Sequence, residues 1–165
     1  MPAATAMPSP ATELRLAVAD LHAEYAACLD NRDFERWPEL FTDDGVYRLQ
    51  PRENFDRGLP LATMAYESKG MLRDRVYAAT QTLFHIPYTT RHVVGWPRVT
   101  LGEDGIIAAE ASYVVVRVRE NELPEVFSAG RYLDRIVEAN GRLLFRQRLC
   151  IFDNALIANS IIYPI

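Results

Sequence analysis

Lysine is almost absent from this chain: of 18 basic residues, 17 are arginine, and Lys69 stands alone. Cysteine is scarce too, with Cys28 and Cys150 far apart and in apolar company. Two isolated cysteines make neither a disulfide framework nor a paired metal-ligand motif; they read as small buried hydrophobes in a reducing compartment. The eight glycines are scattered singly. That excludes a Gly-rich phosphate loop, and no G-x-S-x-G elbow marks a nucleophilic serine. No apolar run reaches the roughly 18–20 residues needed to span a bilayer. The opening "MPAATAMPSPAT" lacks the basic and apolar regions of a signal peptide. Its Pro, Ala, Ser and Thr predict a disordered leader over 1–11, followed by a single domain over 12–165, in a cytoplasmic protein. A net charge of −4 argues against nucleic acid or an anionic membrane as partner.

The arginine preference is what a GC-rich genome produces, but it also suits interfaces, because a guanidinium forks onto carboxylates and tolerates desolvation better than an ammonium. Leu14, Val18, Leu21, Tyr25, Cys28 and Leu29 recur at three- to four-residue spacing and predict a helix to about Asp30, with Thr12 as its cap. "DFERWPELF" predicts a short second helix that "TDDG" breaks, "VYRLQ" a strand, and "ESKGMLRDRVYAAT" a third helix capped by Ser68. From residue 90 the period changes to two. "RHVVGWPRVTL", "IIAAEASYVVVRVR", "EVFSAGRYLDRIVE" and "RLLFRQRLCIF" are four strand candidates, with Asn140-Gly141 a hairpin turn. Helices first and strands afterwards predict an α+β cone, helices packed on a curved antiparallel sheet.

Two constellations compete for function. The first is an acid–base set in the cone cavity, drawn from Asp30, Tyr25, Tyr47, His85 and His92. Burial there would raise a carboxylate pKa into a useful range. The plain reading is that Asp30 caps the next turn with Asn31 and that the tyrosines are core aromatics. His85 and His92 are also the one plausible pair for a mononuclear iron site, but Pro87 lies between them, and they read as hydrogen-bonded structural histidines. The second constellation is a surface for another protein. "YRLQPRENFDRGLP" sets Arg48, Arg52 and Arg57 among Glu53 and Asp56, with Phe55 and Leu59 between them. On the strands, Arg131, Leu133, Arg135 and Val137 share one face, and Arg142, Leu144, Arg146, Arg148, Cys150 and Phe152 share another. Mixed arginine and apolar side chains suit a face covered by a second subunit, although arginine stems also lie over leucines on plain exposed faces. The apolar ending "NSIIYPI" must dock on its own core or on a partner.

"YAACLDNRDFERWPELFTDDGVYRL", "ESKGMLRDRVY" and "RHVVGWPRV", followed by the meander and the apolar tail, resemble the small (β) subunits of aromatic-ring-hydroxylating oxygenases over about residues 12–165. Within them, "YRLQPRENFDRGLPL" and "NSIIYPI" look most like the salicylate 5-hydroxylase type, with terephthalate dioxygenases as neighbours. The resemblance implies a nuclear-transport-factor-2-like fold and an α3β3 heterohexamer. In it, the large (α) subunit carries the Rieske [2Fe-2S] cluster, the mononuclear iron and the substrate pocket. A ferredoxin and an NAD(P)H reductase supply electrons, and the small subunit carries no catalytic residue, cofactor or metal. The interface expected on this chain comprises Arg48, Arg52, Glu53, Phe55, Arg57, Arg73, Arg75, Arg131, Arg146 and Tyr163. The alternatives are a free-standing SnoaL-like lyase or isomerase using Asp30, His85 and His92, and a small ligand-binding module.

Overall fold

A computed structural model describes residues 9–156 and 161–165. The expected leader lies outside the described residues except at its end, where Ser9 is the N-cap of helix α1 (Pro10–Asp30) and Pro10 its first residue. The cap is therefore Ser9 and not Thr12. The Ser9 hydroxyl accepts from the Thr12 backbone N–H at 3.3 Å, and proline fits the first turn because that N–H needs no partner. A 3-10 helix (Phe34–Leu40) follows and buries Trp37 and Leu40.

Strand β1 (Phe41–Pro51) starts where a break was expected, and "TDDG" forms its irregular first half. The stretch 52–60 is not simply a loop, since Arg52–Asp56 forms a short helix, α2. Strand β2 (Met64–Tyr66) and helix α3 (Lys69–Tyr77) come next, with Ser68 capping α3 as its sequence predicts and a π turn (Ala78–Thr82) extending it.

"RHVVGWPRVTL" is two strands, β3 (Tyr88–Val94) and β4 (Arg98–Leu101), because Pro97 supplies no ladder donor. Both pair with one edge of β5 (Ile107–Arg119), and β6 (Glu125–Ala139) and β7 (Arg142–Phe152) complete the sheet. Its order is β2-β1-β7-β6-β5-β3. The sheet is mixed, not wholly antiparallel: β1 runs parallel to β7, since the chain returns to β1's edge from the far end of the meander.

The β6–β7 hairpin turns at Asn140 and Gly141, both with positive φ (54° and 73°), as an Asn-Gly pair requires. Helix α1 and the 3-10 helix lie across the concave face and close a core of Tyr25, Trp37, Phe41, Tyr47, Tyr113, Tyr132 and Phe145. No helix among the described residues is long and apolar enough to cross a membrane.

At Gly130, β6 approaches β7 so closely that a Cβ would lie 1.9 Å from the Ile151 carbonyl oxygen. Gly130→Ala is expected to cost at least about 1–3 kcal/mol by forcing the two backbones apart, read as a lower urea midpoint with an unchanged slope.

Candidate functional site

Asp30 ends α1 and ties it to β3. Its carboxylate accepts from the His92 backbone N–H (2.9 Å), the Thr90 hydroxyl (3.2 Å) and His92 Nδ1 (2.6 Å). Asn31 is the C-cap, so the expected turn cap is not Asp30's role. Burial pushes the Asp30 pKa up, but hydrogen bonds from His92 and Thr90 and the His92 charge outweigh it and leave the carboxyl below its usual range. Asp30 is thus an ionised orienter of the His92 ring, not the raised-pKa acid expected of a cavity carboxylate. The pair lines an open groove of about 570 Å3 between α1 and the β3–β4 edge.

The other members of the expected set lie elsewhere. His85 sits in the segment before β3, where its Nε2 meets the Tyr163 hydroxyl at 2.9 Å. The Tyr25 and Tyr47 hydroxyls donate to the Ile165 carbonyl oxygen at 2.7 and 3.2 Å, and the Cys150 thiol reaches the same oxygen at 3.1 Å. The apolar ending therefore docks on its own core, and Ile165 occupies the interior. Burial pushes both thiols up to about 12, so neither cysteine is a ready nucleophile.

The interior holds a network that the sequence reading did not assemble. Arg148 donates to Asp134 through Nε (2.9 Å) and Nη2 (2.8 Å), and His22 Nε2 meets the same carboxylate at 2.8 Å. Arg148 and Asp134 side chains are 0% exposed and His22 2%. The guanidinium carbon lies 4.0–4.1 Å from the ring centres of Tyr25, Tyr132 and Phe145, an aromatic cage for the cation. Burial alone would raise the Asp134 pKa, but the Arg148 charge and the bonds from Arg148 and His22 bring it below the usual carboxylate range. Desolvation lowers the His22 pKa more than Asp134 raises it, so the imidazole is neutral. Arg148 was expected on one face with Arg142, Leu144 and Arg146. A bulge at Arg146 shifts the β6–β7 register between Ile136↔Phe145 and Arg135↔Gln147, and this turns Arg148, Cys150 and Phe152 inward.

The expected interface residues divide. Arg75 donates to the Ile161 and Ile162 carbonyls and Tyr163 stacks on Phe34 at 4.6 Å, so both hold the chain's own tail. The others lie at the surface in pairs within the chain: Arg48–Glu67 (3.1 Å), Arg52–Asp153 (3.0 Å), Arg57–Glu53 (3.0 Å), Arg73–Glu39 (2.7 Å), Arg131–Glu110 (3.5 Å) and Arg146–Asp44 (3.9 Å). Phe55 lies beneath the Arg131 guanidinium at 5.7 Å. A second apolar surface surrounds Leu83, Phe84 and Ile86, with Phe84 101% exposed, and nothing in its sequence context singled it out. It borders a hollow of about 570 Å3 that Arg75, Arg117 and Arg119 help to line. Among the described residues, no group of three or more His, Cys, Asp or Glu is placed to hold a metal ion.

A family model described as a SnoaL-like domain matches residues 10–148. The anthranilate 1,2-dioxygenase small subunit of Burkholderia cepacia is 35% identical over 88% of this chain and 90% of its own length. A β subunit of the terephthalate 1,2-dioxygenase terminal oxygenase component of a Comamonas species is 28% identical over 90% of this chain and 96% of its own. Among solved structures, a β subunit assigned to an aromatic-ring-hydroxylating dioxygenase of Novosphingobium aromaticivorans superposes with a TM-score of 0.83 at 39% identity, covering 91% of this chain and 95% of that one.

Removing one member of the buried network strands the others. Arg148→Met is expected to cost about 3–5 kcal/mol in urea unfolding, whereas pairing it with Asp134→Leu should recover part of that loss. Below about pH 6.5 the unfolded chain binds a proton at His22 that the folded chain resists, so stability falls as the pH falls; Asp134 acts in the same direction once the pH drops toward the ordinary carboxylate value of 3.8, where the unfolded chain takes up a proton that the folded carboxylate still resists. His22→Gln keeps a donor for Asp134 without the titration. Its unfolding free energy should therefore fall less than the native chain's between about pH 7.5 and 5.5.

Proposed function

The chain belongs to the SnoaL-like domain family, as a small subunit of the aromatic-ring-hydroxylating dioxygenases, and from this we propose that its work is to assemble and brace the oxygenase without carrying its chemistry. The observation that carries the reading is the full-length likeness to two small subunits and to a β-subunit structure. The named substrates of those relatives, anthranilate and terephthalate, are aromatic acids. We extend that class to this protein's complex and name salicylate as the acid to try first. The partner is a large subunit holding the Rieske cluster, the mononuclear iron and the substrate pocket in an α3β3 assembly in the cytoplasm, with electrons from a ferredoxin and an NAD(P)H reductase.

Two surfaces are offered to that partner. One is the arginine-rich stretch from Arg48 to Arg57 with Arg73, Arg131 and Arg146, where Phe55 adds apolar area. The other is the exposed loop of Leu83, Phe84 and Ile86. Bare apolar side chains beside forked charges are the composition of an interface core with its rim.

A second reading keeps one specific support, the Asp30–His92 pair at an open groove. It is a lyase or isomerase in which an oriented imidazole moves a proton; His85 has no part in it, being held by Tyr163. That protein would be a homo-oligomer active alone.

Co-expression with the large subunit tests the main reading. Phe84→Asp with Ile86→Asp should abolish co-purification while the chain's own melting is unchanged. Arg57→Ala removes an exposed pair worth about 0–1 kcal/mol to the isolated chain, yet should raise the dissociation constant for the large subunit by about 100-fold if that pair is buried in the complex. A colourless, iron-free homo-oligomer recovered from the host would overturn the assembly reading.

A further inference from the structure

The segment before β3 lies on the surface as an apolar ridge. Leu83, Phe84 and Ile86 are exposed, and Phe84, at 101%, has no part of its own chain over it. A contiguous bare patch of this kind marks a contact surface. Residues of the ridge line two hollows. One, of about 570 Å3, is also bounded by Arg75, Arg117, Arg119 and Glu122. The other, of about 430 Å3, is bounded by Arg32, Phe34 and Tyr163 and has no acidic residue in its wall.

The charges around the ridge do not balance. Glu125 accepts from Arg117 Nε (2.8 Å) and Nη2 (2.6 Å), and Glu122 accepts from Arg119 Nη1 (3.0 Å), so two carboxylates serve two guanidiniums. Arg75 and Arg32 have no such partner. Arg75 gives Nη2 to the carbonyls of Ile161 and Ile162, and Arg32 gives Nη2 to the Tyr88 carbonyl at 3.0 Å. Neither pairs with a carboxylate among the described residues. Both can be reached from outside: Arg75 Nη1 makes no hydrogen bond within the chain and, unlike Nε, is not sealed from solvent, and Arg32 is exposed. A guanidinium whose partners are neutral carbonyls keeps its positive charge, and a carboxylate is the group its fork fits best.

The shape selects among anionic partners. A small anion would fill one hollow and leave Phe84 bare. An anionic bilayer is flat and would be repelled by a chain of net charge −4. A protein segment covers ridge and hollows together, and a carboxylate among apolar side chains complements both features. We propose that this end of the cone receives an acidic segment of the large subunit, its apolar side chains over Phe84 and Ile86 and its carboxylates on Arg75 and Arg32 at either side of the ridge. The proposal rests on the assembly reading and adds to it the chemistry of the partner's segment and the two cations that recognise it.

The test uses the full chain bound to its co-expressed large subunit. Arg75→Gln and Arg32→Gln should each raise the dissociation constant about tenfold and flatten its rise between about 50 and 300 mM NaCl, because each removes a screened charge pair. Phe84→Ala should weaken binding by a similar factor and leave the salt dependence unchanged. Arg32 is exposed, so its variant reports on binding even if Arg75→Gln loosens the tail. Arg75→Lys puts an amine at that site in a chain whose one natural lysine is Lys69. A carbodiimide should then join this amine to an Asp or Glu of the large subunit as an amide. Native affinity and salt dependence in both glutamine variants, cross-linking only to Glu122 of the same chain, release of the large subunit by benzoate, or capture of the free chain by phosphatidylglycerol vesicles would each overturn the proposal. If Phe84→Asp with Ile86→Asp still abolishes co-purification in that case, the assembly reading stands without it. Failure to recover any complex with the native chain removes the assembly reading itself.

Discussion

A guanidinium with no exposure to water sits inside the cone, and the surrounding elements supply a carboxylate to two of its nitrogens and aromatic faces around it, while Nη1 has no hydrogen-bond partner. Arg148 comes from β7, its counter-charge Asp134 from β6, and the third member, His22, from α1. Stranding such a charge is far costlier than any exposed ion pair on this surface. The network therefore sets the depth and rotation at which α1 lies on the sheet. The rings of Tyr25, Tyr132 and Phe145 complete the enclosure, so the aromatic core and the charge network constrain one another.

That arrangement leaves little of the cone interior for a substrate. Tyr25, Tyr47 and Cys150 all turn toward the Ile165 carbonyl, and Phe34 and His85 hold Tyr163. In a cone of this kind the interior is where buried acids and bases would be expected to work, yet here it is occupied by the chain itself. What remains open is the outside: the arginine-rich stretch around Arg48–Arg57, the exposed loop of Leu83, Phe84 and Ile86, and the groove along α1. A close-packed interior of this kind makes a rigid body, because side chains that fill the space between sheet and helices leave little room for them to shift.

The elements whose local pattern and tertiary role agree were legible. The 3.6-residue face of α1, the Ser68 cap, the Asn140-Gly141 turn and the long strands from residue 107 onward all follow from neighbours a few residues apart. The Asp30 and His92 assignment was half legible: both residues were singled out, but pairing a helix end with a strand start is a contact across 62 positions. His85 was grouped with them because it is close in sequence, and the strand begins too late to carry it to the same place. Arg148 was misplaced for a different reason. Strict alternation puts it outside with Arg146, and one extra residue in β7 reverses the face.

Sequence by itself determined the class of fold, the helix and strand content and, through whole-length motifs, the kind of assembly the chain serves. Fold class and element content rest on short-range periodicity and on residue types, which survive without knowledge of the partner strand; the kind of assembly rests on the resemblance to a family alone. Only the tertiary structure decided which charges are buried, where the apolar tail goes and which imidazole nitrogens are left without a partner. Each of these depends on a register shift or a long-range pairing. A one-residue change there inverts a side chain from solvent to core, and no local pattern records it.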